Sequence, residues 1–148
     1  MSPNHLSVAG LVIGAAAILA GCATAAPAQA PPALIKPVAG SQIPQLQLTE
    51  RAVQRLGIVT QPVRQTTTAS HTDGPDVIPY SAVVYDTDGS AWTYVNAGAR
   101  TYQRKPITVT DIHGDIALLS AGPPAGTAVV TVGAAELLGT EYNISGEE

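Results

Sequence analysis

The sequence predicts a mainly β protein, a small antiparallel β-barrel or sandwich with one short α-helix, preceded by a signal peptide and a disordered linker. Three observations carry this. The chain of 148 residues holds 14 Gly and 12 Pro, which supply turns and interrupt long helices. Beyond Ile58, β-branched and aromatic runs recur at short spacing between turn signals, the pattern of a meander closed into a barrel or sandwich. The first 45 residues differ from the rest, with a short apolar run followed by an Ala/Pro tract whose one charge is Lys36.

From Leu6 to Ala20 there is no charged residue, and the apolar run Leu11–Leu19 is shorter than the roughly 20 residues a bilayer-spanning helix needs. It reads as the h-region of a signal peptide. Leu19-Ala20-Gly21-Cys22 follows and is similar to the lipobox of bacterial lipoproteins, in which small residues admit the signal peptidase and the thiol accepts a diacylglyceryl group. Residues 1–21 are therefore expected to be a leader, with Cys22, the single cysteine, as the lipidation site. Acyl chains on Cys22 would anchor the protein to the extracytoplasmic side of the cell membrane, each buried methylene contributing about 0.8 kcal/mol. Residues 22–45 are expected to form the lipidated start and an extended tether, residues 46–142 the folded body, and residues 143–148 a flexible tail.

Within the body, Leu48, Ala52, Val53 and Leu56 recur at helical spacing, with Thr49 as N-cap, Glu50 in the first turn and Gly57 as the stop, which predicts a two-turn helix. A strand over 58–63 follows, with Thr66, Thr67 and Thr68 as an extension. Asp86-Thr87-Asp88-Gly89 then joins two β-rich runs as a hairpin turn; it lacks the third oxygen ligand and the closing Glu of an EF-hand loop. Alternation over 107–110, a turn at His113-Gly114-Asp115, strands over 116–119 and 128–132, and a short apolar stretch with Leu137 and Leu138 complete the body.

Composition and motifs narrow the chemistry. Formal net charge is −4 and the seven Lys and Arg are scattered, so the clustered positive charge of a nucleic-acid binder is missing. His5, His71 and His113 stand apart from one another and from Cys22, without the spacing of a zinc site. No nucleophile elbow, phosphate-binding glycine loop or H-E-x-x-H motif occurs in the sequence, and a non-catalytic protein with no cofactor or metal is expected. Arg100, Tyr102, Arg104 and Lys105 form the densest basic and aromatic group and are the candidate partner contact.

Taken in order, Leu48-Thr49-Glu50, Leu56-Gly57-Ile58, Ile78–Asp86 with Gly89, Trp92 and Tyr94-Val95, then Arg104–Val109, Gly122, Ala125-Gly126, Val129-Val130 and Gly133–Leu138, resemble the periplasmic adaptor subunits, or membrane fusion proteins, of RND-type efflux pumps. The likeness covers residues 48–142 and corresponds to the barrel and membrane-proximal end of that family. The span between Val63 and Ile78 leaves no room for the lipoyl-like domain and long helical hairpin usual there. The resemblance implies a lipid-anchored accessory subunit that docks on a transporter, of RND type or another. The alternative from the residues alone is a stand-alone envelope module that binds a small ligand or wall component in the barrel mouth, with the loop from His71 to Asp76 as its rim.

Overall fold

The computed structural model describes residues 31–66 and 74–142. The chain runs through β1 (Ala33–Val38), β2 (Ser41–Leu48), α1 (Glu50–Leu56), β3 (Val59–Pro62), β4 (Arg64–Gln65), β5 (Asp76–Pro79), a 3-10 turn (Tyr80–Ala82), β6 (Val84–Tyr85), β7 (Ala91–Gly98), β8 (Thr101–Pro106), β9 (Thr108–His113), β10 (Ile116–Ala121), β11 (Ala128–Val132) and α2 (Ala134–Glu141). It is mainly β and all its strand pairs are antiparallel. The larger sheet has the order β1-β2-β8-β7-β11-β3, with β6 also on β7; the smaller is β4-β5-β10-β9.

Strand alternation builds a molecule of three layers, because the larger sheet is covered on both faces. Tyr94 of β7 and Val130 of β11 point to the helices and pack with Leu46, Leu48, Tyr102, Ala52 and Leu137. Their neighbours Val95 and Val129 point the other way, onto Ile78, Ala117 and Leu119 of the smaller sheet. Each such large side chain, fully buried, contributes about 1.5–3 kcal/mol. Two strands cross between the sheets: β3 continues into β4 through buried Val63, and β8 into β9 through buried Ile107. Both corner residues sit in the core between the sheets, where such turns are stable only if the bend is packed.

The helix over 50–56 forms as its sequence dictates. Thr49 Oγ1 accepts from Ala52 N at 3.2 Å, and Gly57 closes the helix in the left-handed region, at φ 60°. Three expectations need correction. Residues 33–45 do not extend as a tether but form the β1–β2 hairpin, so the body begins at Ala33. Their prolines misled: Pro37 and Pro44 lie where the β1–β2 register shifts, while Leu46 and Leu48 keep the inward alternation, and strands tolerate proline at edges and bulges. A second helix, α2, occupies the apolar stretch around Leu137; Ala134, Leu137, Leu138 and Glu141 follow the helical repeat. The run before the Asp86 turn is broken into β5, the 3-10 turn and β6. Cys22, the leader, Thr67, Thr68, His71, Asp73 and the tail 143–148 lie outside the described residues.

Candidate functional site

The four basic and aromatic residues singled out in the sequence do not form one patch. On β8 the alternation sends Tyr102 and Arg104 toward the helices, and Gln103 and Lys105 to the opposite face. Tyr102 is 4% exposed and belongs to the core. Arg100 stands in the β7–β8 turn with a left-handed backbone, φ 55°, and Lys105 is exposed. Arg104 alone becomes the centre of a constellation.

Its guanidinium is held from three elements. Arg104 Nη1 donates to Asp86 Oδ2 at 2.7 Å, from the β6–β7 turn. Arg104 Nε lies 2.7 Å from Glu141 Oε1 at the end of α2, close enough for an ion pair although not aligned for a hydrogen bond. Tyr94 Oη donates to Glu141 Oε2 at 2.6 Å, and Tyr142 Oη donates to Asp86 Oδ2 at 2.7 Å. The guanidinium carbon also lies over the Trp92 ring, 4.6 Å from its centre, and over the Tyr142 ring, 5.3 Å from its centre, a favourable contact for a delocalised cation. The Trp92 indole N–H is buried beside them without a hydrogen-bond partner.

Four ionisable groups in this constellation, Asp86, Tyr94, Arg104 and Tyr142, have pKa values displaced further from neutral pH. The hydrogen bonds from Tyr142 and Arg104 hold the Asp86 carboxyl down to about 2. Burial, reinforced by the Glu141 carboxylate, raises the Tyr94 phenol well above its ordinary value. Burial opposes the charge on Arg104, yet the bond to Asp86 and the field of Glu141 outweigh it and its pKa rises. The Tyr142 phenol is raised first by its bond to Asp86. A general acid or base works best with a pKa near ambient pH, and these shifts run the opposite way. The arrangement is a fastening: it pins the end of α2 to the larger sheet, with the carboxylates satisfied by cationic and phenolic donors.

Sequence reasoning passed over Asp86, Trp92, Tyr94, Glu141 and Tyr142 as members of a site. One signal was present. Glu141 lies four residues after Leu137 on the buried side of a helical repeat, and a carboxylate placed there requires a cationic partner. Asp88 remains a turn residue, its Oδ1 accepting from Ser90 N at 2.8 Å. His113 Nε2 meets only Asp111 Oδ2, at 2.9 Å on an exposed strand end. Among the described residues no group of three His, Cys, Asp or Glu could hold a metal ion, and none of the described helices is long and apolar enough to cross a membrane.

A second feature lies at the start of the body. Leu48 N donates to Arg100 O, at the turn that leads into β8, and Thr49 N donates to Pro32 O. Strand alternation therefore turns the backbone groups of Ala33 and Ile35 away from β2, to the open edge of the larger sheet. Leu34 and Ile35 on this edge strand are 50% and 46% exposed. Comparison with protein-family models, with curated proteins and with solved structures finds no match to the chain.

Proposed function

We propose that the chain is a lipid-anchored, non-catalytic docking subunit on the extracytoplasmic side of the cell membrane, similar to the membrane-proximal end of an efflux adaptor and engaging an integral-membrane transporter. The observation that carries this reading is the open β1 edge, with its exposed Leu34 and Ile35, next to the point where the anchor would enter. Only the residues from Ala23 to Pro32 separate Cys22 from the hairpin, a span of about 36 Å at about 3.3 Å per residue fully extended. An edge held that close to the bilayer meets a membrane partner at high effective concentration, so a weak strand-to-strand contact suffices.

A photo-crosslinking side chain at Ile35, introduced in intact cells, tests this directly. The anchored protein should capture an integral-membrane transporter, and Cys22→Ser should move the chain out of the membrane fraction and abolish the capture. Membrane-bound protein that yields no transporter adduct from Ile35 overturns the docking assignment. Retention of the Cys22→Ser chain in membranes overturns the anchor.

A further inference from the structure

Away from the Arg104 constellation and from the β1 edge, a cleft of about 300 Å³ opens between β3 and β5. Its origin is in the sequence. Arg64 pairs with Val77, and Thr66 N donates to Pro75 O; two residues on, the same register sets Pro62 opposite Pro79. Neither proline has an N–H to donate, so the ladder stops. β3 then turns away to pair with β11, and the gap it leaves becomes the cleft. Val77, Ile78 and Ile116 give it apolar walls, while Arg64 and Asp115 supply one charge of each sign. Among the described residues neither of these two has an oppositely charged partner at ion-pairing distance, and Ile116 is left 43% exposed.

We propose that this cleft binds a short zwitterionic peptide, a dipeptide in size, with its carboxylate on Arg64, its ammonium on Asp115 and an apolar side chain against Val77 and Ile116. Arginine suits the carboxylate because its fork of donors matches the two oxygens. Spacing selects the length. Arg64 stands opposite Val77 on one side of β5, and Asp115 meets Tyr80 on the other, where Tyr80 N donates to Asp115 O at 2.7 Å. Two strand spacings across and three residues along place the two Cα atoms about 14 Å apart. Once the guanidinium and carboxylate reach inward, the remaining gap suits two residues of extended chain, about 7 Å. The volume is at the lower end of the roughly 300–1,000 Å³ of ligand clefts, which favours a ligand of this size over a larger one. The assignment stands independently of docking on a transporter.

The full chain titrated calorimetrically with leucyl-glycine, and with its N-acetylated and C-amidated forms, tests the proposal. Saturable binding of leucyl-glycine is expected, weakened about tenfold or more by removal of either ligand charge. Arg64→Gln should remove the discrimination against the amidated form alone, and Asp115→Asn that against the acetylated form alone. Both side chains are exposed, so both variants should keep the wild-type circular dichroism and melting transition. Absence of saturable binding up to about 5 mM, or binding indifferent to both ligand charges, overturns the assignment. So does an equal loss for all three ligands in either variant.

Discussion

Replacing Arg104 with Met is the sharpest test of the constellation that fastens α2. The substitution keeps most of the stem over Trp92 and removes both charged contacts, Nη1 to Asp86 and Nε to Glu141, each 2.7 Å. Glu141, whose side chain is 4% exposed, would keep only the Tyr94 hydroxyl. An uncompensated carboxylate at that depth costs about 3 kcal/mol, the lower end for a broken buried pair, because the Arg104 side chain itself is 12% exposed. Water reaches Asp86, which also keeps the Tyr142 hydroxyl, so the figure rests on Glu141. For a body of this size about 3 kcal/mol lowers the melting temperature by roughly 12 °C, measurable by circular dichroism or scanning calorimetry. Adding Glu141→Gln removes the stranded charge and should recover about half of the loss. Lys105→Met, one residue away on the opposite face, should change stability by less than about 0.5 kcal/mol. If Arg104→Met melts within about 2 °C of Lys105→Met, the fastening is not what holds α2 in place.

Two further outcomes follow from the same structure. The Asp86 carboxyl, held to about 2 when folded against an ordinary 3.8, stabilises the fold above the higher value and loses that contribution as pH falls toward the lower. Denaturation between about pH 4 and pH 2 should show this acid limb in the wild type and a flatter one in Asp86→Asn; equal slopes would contradict the bonds to Tyr142 and Arg104. Two glycines near α2 should respond with opposite sign. Gly139→Ala adds a Cβ into open space within the helix and should stabilise by roughly 0.5–1 kcal/mol. Gly133→Ala sits at φ +88° with Ile58 Cδ1 in the path of its Cβ, and should destabilise by about 1–2 kcal/mol in urea denaturation.

The local features of this chain were legible because each depends on residues close in sequence. Thr49 and Gly57 bound α1, Asp86–Gly89 turns β6 into β7, and the alternation over 128–132 makes β11; in each case backbone preference and period act within a few residues. The β1–β2 hairpin was obscured because proline content signals an extended tether, whereas Pro37 and Pro44 fall at a register shift that only the pairing of the two strands creates. The candidate contact residues were grouped by proximity along the chain. A strand separates successive side chains onto opposite faces, so Tyr102 and Arg104 turned inward and Lys105 outward.

By itself the sequence determined the class: turn-rich composition and period-two runs leave an antiparallel β body with a short capped helix, since those preferences are set residue by residue. Tertiary structure alone decided which charges meet. Asp86, Arg104 and Glu141 are far apart along the chain and become a single unit only when the β6–β7 turn, β8 and α2 converge. The cleft between β3 and β5 has the same origin, because two prolines distant in sequence stop a ladder only once the register has placed them face to face.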